Sequence, residues 1–217
     1  MRMAIEAYRN SIASICRRFP EKDGRIYWPM LHWKQEHLGD LWFEMKRYDS
    51  ALYYYKLSGL WGKKFYNTTE IAYKQFQCYK LTKQWDTAFT CFTPFALDST
   101  VWRVEDSSYQ AMVDDYYNFL RSKYSKKKIR ISFIDGYNKL DHSYTIEKDT
   151  VNGNIEYTYK DRAIFRFLGQ EFDLHEYSRR FEPDRYDEKE FAEREKGYYL
   201  RELRSSYLYK LIMSDNR

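Results

Sequence analysis

The chain has few of the residues that bend a backbone or clasp a ligand. Its 217 residues include eight glycines and four prolines. No glycine-rich run of the kind that cradles phosphates occurs, which argues against nucleotide hydrolysis. Cysteine is as scarce: Cys16, Cys78 and Cys91 are an odd number, without pairing pattern or metal-ligand spacing. They read as reduced, buried thiols, which suits a cytoplasmic protein. No window approaches 18 apolar residues, so a membrane span is not expected. Arg2, Glu6, Arg9, Arg17 and Arg18 interrupt the N-terminal stretch, so it does not read as a signal peptide.

Chemistry-bearing constellations are also missing. His32 and His37 are five apart and diverge around a helix, where a metal pair wants four; His142 and His175 supply no evident third ligand. Glu105-Asp106 and Asp114-Asp115 are consecutive and point different ways on a helix, a poor basis for paired acid–base work. Ser132 and Ser178 lack a glycine elbow. No catalytic residue, metal or cofactor is therefore expected, and the chain does not read as an enzyme. Net charge is +5, mildly basic, and Lys126-Lys127-Lys128 is the one basic run. It reads as solvated. Tyrosines interspersed with lysines, and the segment 131–133, could in principle stack bases. Helical spacing explains the aromatics of the first half better, so nucleic-acid binding is not expected.

Aromatics, by contrast, are abundant: 20% of residues, with 23 tyrosines. They supply ample apolar area for a core. Lys46-Arg47-Tyr48-Asp49-Ser50-Ala51-Leu52 is echoed 37 residues later by Lys83-Gln84-Trp85-Asp86-Thr87-Ala88-Phe89. In each copy an aromatic precedes an acid and Ala follows two positions on. A period near this length marks stacked helical hairpins, each too small to bury its own apolar face.

Spacings of three and four predict helices over 1–19, 28–45, 50–61, 69–81, 87–93 and 105–124. Asp49, Thr69 and Asp86 are the expected caps. Pro20 and Asp23-Gly24 should end the first helix, and Pro94 the fifth. The period then shortens to two. Ile129, Ile131 and Phe133 alternate with polar residues and predict a strand. Strands are also expected at 144–146, at 155–159 after an Asn152-Gly153 turn, and at 163–168 ahead of Gly169. From 187 to 212 the pattern is helical again, weakened by Gly197.

The expected fold is thus α+β. A tetratricopeptide-like array of antiparallel helical hairpins (1–124) precedes a small antiparallel β subdomain (128–181) and a C-terminal helical tail (187–214). Leu38, Gly39, Trp42, Ala51, Tyr55 and Ser58 satisfy much of the tetratricopeptide consensus. Tyr79, Ala88 and Phe92 repeat part of it.

Several stretches also stand in a recognisable order: 37–41 through 48–57 to Trp61; 73–76 to Trp85-Asp86-Thr87-Ala88; 109–120 with Tyr116-Tyr117; 129–136; Phe165-Arg166-Phe167-Leu168-Gly169-Gln170-Glu171-Phe172; and 175–181. In that order they resemble the DOCKER region (DOCK homology region 2) of DOCK-type guanine nucleotide exchange factors, over roughly residues 28–181. The resemblance implies a Rho-family small GTPase as partner, bound through the sheet around Phe133, Phe165, Phe167 and Phe172. It also implies a possible homodimer through the helical array. Phe133 stands where the family's strand has its first glycine, 141–160 contains an extra hairpin, and the family's catalytic helical lobe has no counterpart. The expectation is a fragment or shortened relative that supports exchange by differential binding. The alternative is a tetratricopeptide-like adaptor holding a partner segment in the groove of its helices.

Overall fold

The computed structural model describes residues 2–18, 28–62, 68–99, 105–151, 154–181 and 187–214. The fold is α+β: helical hairpins, then a three-stranded antiparallel sheet, then C-terminal helices. The chain divides into two units, Met1–Phe92 and Thr93–Arg217. This division falls well before the expected change at 124–128, because the later helices pack with the sheet.

The first unit contains α1 (Arg2–Arg18), α2 (Trp28–Glu44), α3 (Tyr48–Gly62), α4 (Thr68–Leu81) and most of α5 (Trp85–Ala96). The 37-residue echo is visible in backbone geometry. Lys46 and Lys83 both adopt positive φ, 57° and 60°. Arg47 N–H donates to the Trp42 carbonyl at 3.0 Å, and Gln84 N–H to that of Tyr79 at 2.9 Å. Lys46 N–H reaches Phe43 O at 2.8 Å and Lys83 N–H reaches Lys80 O at 3.3 Å. These paired bonds define a Schellman end, used twice with lysine in the place glycine usually takes. Asp49 and Asp86, the expected caps, lie instead inside the first turns of α3 and α5, two residues past the positions that precede each helix. There their carboxylates still favour the positive helix end. Thr69 likewise falls inside the first turn of α4.

The small consensus residues bring the helices together. A Cβ on Gly39 would meet Tyr55 Cε1 at 2.5 Å, so only glycine lets α2 sit against that ring. Ala51 and Ala88 are fully buried, as are Leu38, Phe76 and Phe92, and Ala51 clusters with Tyr55, Ile71 and Cys78. Phe76 and Phe92 stack with ring centroids 5.7 Å apart. Pro94 lies inside α5 rather than ending it.

The second unit contains α6 (Ser107–Lys123), α7 (Lys126–Asn138), β1 (Asp141–Val151), β2 (Asn154–Phe167), β3 (Gln170–Phe181), α8 (Glu188–Ser205) and α9 (Tyr207–Ser214). The predicted strand at 129–133 is instead the middle of α7. Ile129, Phe133 and Gly136 are buried at spacings of four and three, while Ile131 and Ile134 face outward. Ser125 caps this helix, its Oγ accepting from Lys128 N–H at 3.2 Å. The apolar run fits both periods, and cap and packing select the helix.

Residues 155–159 and 163–167 belong to one strand, β2, at the centre of the order β1-β2-β3. Asn154 pairs with Val151; the Asn152-Gly153 turn itself lies outside the described residues, as do Pro20 and Asp23-Gly24. β2 and β3 join through Leu168 (φ 50°) and Gly169 (φ 85°), a two-residue turn with both centres left-handed. The Leu168 N–H donates to Ser132 Oγ of α7 at 2.7 Å, and Gly136 brings α7 onto the β2 backbone. On the covered face Tyr159 packs edge-on against Phe191 of α8 at 4.7 Å. The open face carries charges: Arg166 bonds Glu171 (2.8 Å), Arg162 bonds Asp173 (2.7 Å) and Lys160 meets Glu147 (2.7 Å). Ser206 breaks the predicted tail helix. Its Oγ donates to Leu203 O (2.8 Å) and accepts from Tyr209 N–H (3.2 Å), closing α8 and opening α9.

Candidate functional site

The helical unit gathers charge where α4 faces α2. Lys74 of α4 donates to Glu36 Oε1 at 2.7 Å and lies 2.9 and 3.0 Å from the two oxygens of Asp40. Glu70, one turn back on α4, is 4.0 Å away. Three carboxylates therefore surround one ammonium, leaving an acidic surplus. The Tyr55 hydroxyl rises from α3 and donates to Asp40 Oδ1 at 2.7 Å. Burial first, and then this bond and the carboxylate charge, push the tyrosine well above its ordinary 10.0. For Lys74 burial acts to lower the pKa. The bonds to Glu36 and Asp40 outweigh it, so the lysine rises above 10.5 and stays charged.

The rest of this face follows from helical spacing. Positions 33, 36, 37, 40 and 44 fall on one side of α2. Trp33 is 58% exposed, which is unusual for the largest apolar side chain. His37 Nδ1 is 3.8 Å from Asp40. His32 is buried, its Nε2 3.9 Å from Glu36 and its Nδ1 2.7 Å from Ser58 Oγ and 2.9 Å from Ser58 O. It ties α2 to α3, and the two histidines diverge as expected. An acidic strip with an aromatic at one end suits the ammonium groups and stems of a basic segment. Sequence reasoning missed this face; the spacing of Trp33 with Glu36, Asp40 and Glu44 is the signal that could have found it. It gained meaning only with α4 beside it.

The sheet does not offer the surface expected of it. Phe133, Phe165 and Phe167 are fully buried and Phe172 nearly so. Phe133 belongs to α7, its ring 5.1 Å from Phe165 and 5.6 Å from Phe167. These four phenylalanines are core rather than exposed surface. Alternation accounts for it, since 163, 165 and 167 point under the helices and 162, 164 and 166 point outward.

Beneath the sheet His142 Nε2 and Asp161 Oδ2 are 3.4 Å apart, and both side chains are largely covered. Tyr199 approaches the imidazole to 5.8 Å. Of the cysteines, Cys78 is buried and Cys91 partly so, but Cys16 is exposed, contrary to expectation. Burial pushes the thiols of Cys78 and Cys91 up to about 12, which makes them poor nucleophiles. Among the described residues no group of three His, Cys, Asp or Glu could hold a metal ion. Among them, too, no helix is long and apolar enough to cross a membrane. The chain matches no protein-family model, no curated protein and no solved structure.

Proposed function

We propose that this chain is a non-catalytic binding protein whose helical unit holds a basic segment of a protein partner along the face shared by α2 and α4. The observation that carries the reading is Lys74 spanning Glu36 and Asp40. It links the two helices, offsets only part of the charge of Glu36, Asp40 and Glu70, and leaves Glu44 and exposed Trp33 to the partner. Trp33 is the expected anchor, because exposed aromatics carry a large share of binding energy for little ordering entropy. The acidic residues would set orientation and association rate.

The competing expectation, a DOCK-like module acting on a Rho-family GTPase, rests on motif order alone once its four phenylalanines are placed in the core.

The test is fluorescence anisotropy of the full chain with a labelled lysine-rich peptide. Binding should weaken with salt. Trp33→Ala and Glu44→Lys, both at exposed positions, should each weaken it about tenfold or more. Unchanged affinity in both variants, or no binding by the parent, overturns the proposal. Nucleotide release from Rho-family GTPases, measured in parallel, would return the exchange-factor reading to the front.

A further inference from the structure

Helix α7 has two apolar faces, and only one is used by the fold. Ile129, Phe133 and Gly136 are buried. On the opposite side Ile131 is 55% exposed and Ile134, one turn on, 37% exposed. Lys127 precedes Ile131 by one turn, so all three share the outer crest. Residues 121–134 contain Arg121, Lys123, Lys126, Lys127, Lys128 and Arg130, with no acidic residue. All but Arg130 are exposed. Lys128 lies over the Tyr124 ring at 4.8 Å, which directs that ammonium beside an aromatic. Asp135, the single acid of α7, is bonded by Lys139 at 2.7 Å.

The placement of these lysines runs against helix electrostatics. The first turn of α7 has three lysines and no acid, although a helix N-terminus carries positive partial charge. An anionic surface would turn this unfavourable arrangement into a favourable one.

We propose that α7 and the basic segment leading into it dock on an anionic lipid surface. The lysines and arginines would engage acidic phospholipid headgroups, and Ile131 and Ile134 would enter the boundary between headgroups and acyl chains. Charge alone would suit nucleic acid equally well. The two outward isoleucines favour a bilayer, which rewards apolar insertion, whereas a phosphodiester backbone does not. This surface lies in the second unit and is independent of the peptide-binding reading of the first.

The experiment is co-sedimentation of the full chain with vesicles of phosphatidylcholine alone and with vesicles that also contain phosphatidylserine. Binding is expected only to the latter and should fall with salt. K126Q/K127Q/K128Q should weaken it on the order of 100-fold, from about fivefold per lysine. I131S/I134S should weaken it about tenfold or more and leave the salt dependence in place. Both sets lie at exposed positions, and unchanged circular dichroism verifies folding. Failure of the parent to bind anionic vesicles, or equal binding to neutral ones, overturns the proposal. So does an isoleucine variant that binds as well as the parent, which would mark simple polyanion attraction such as that of a nucleic acid.

Discussion

Replacing Gly136 with alanine should destabilise the second unit, even though alanine is the better helix former. A Cβ built at this position lies 2.0 Å from the Arg166 carbonyl oxygen, 3.0 Å from its carbonyl carbon and 2.9 Å from Phe165 Cε2. A carbon–oxygen contact relaxes at about 3.3 Å, so α7 would have to lift from β2 by about 1.3 Å. That lift would loosen Phe133 from Phe165 and Phe167 and stretch the 2.7 Å bond from Leu168 to Ser132. Overpacking of this kind costs about 1–3 kcal/mol, and backbone against backbone belongs at the upper end. Alanine returns about 1 kcal/mol of helix propensity. The net loss is about 2 kcal/mol, or roughly 4–8 °C in Tm. Gly197→Ala in α8 is the internal control, because nothing lies within 4 Å of its added Cβ. It should gain about 1 kcal/mol. Urea titration followed by circular dichroism measures both. A Gly136→Ala protein as stable as the parent would refute the close crossing of α7 over β2.

Lys46→Gly and Lys83→Gly should each stabilise the helical unit by about 0.5–1 kcal/mol, because both lysines pay a left-handed strain that glycine avoids; a loss of urea midpoint in both would contradict the duplicated turn. The Lys74–Tyr55 cluster should make this unit alkali-sensitive. Both groups have raised pKa values in the fold, so the stability they contribute is complete below their ordinary values, 10.5 and 10.0, and drains away as pH rises through the folded values. Stability measured from pH 9 to 12 should fall more steeply above about 10.5 for the parent than for Lys74→Met, and parallel curves would show that Lys74 contributes nothing through its charge.

The helical half was legible because its signal is redundant. The 37-residue echo, the small residues at 39, 51 and 88, and the three-and-four spacing all specify the same hairpins. The segment 129–134 was not, since Ile-Arg-Ile-Ser-Phe-Ile satisfies a strand and a helix alike. What decides it is Ser125 at one end and Gly136 against Arg166 at the other, and the second of these is a contact 30 residues distant. The four phenylalanines show the reverse problem. Their motif order suggested a surface, while alternation along β2 already implied burial of 165 and 167 on one side. The acidic strip on α2 could be read as a polar helix face, but nothing local reveals that Lys74 from α4 divides it. Long-range pairing of this sort carries no periodic signature.

The uncovered face of the sheet also bears on how the protein behaves in a crowded solution. A three-stranded sheet is short of partners on both flanks and open on one side, the geometry from which cross-β stacking begins. Here any second sheet laid on that side would have to strip water from Arg162, Arg166, Lys160, Glu147, Glu171 and Asp173 together. Their alternating signs already satisfy one another, so a newcomer gains no fresh attraction in return. The salt-bridge ladder thus works as a guard against aggregation.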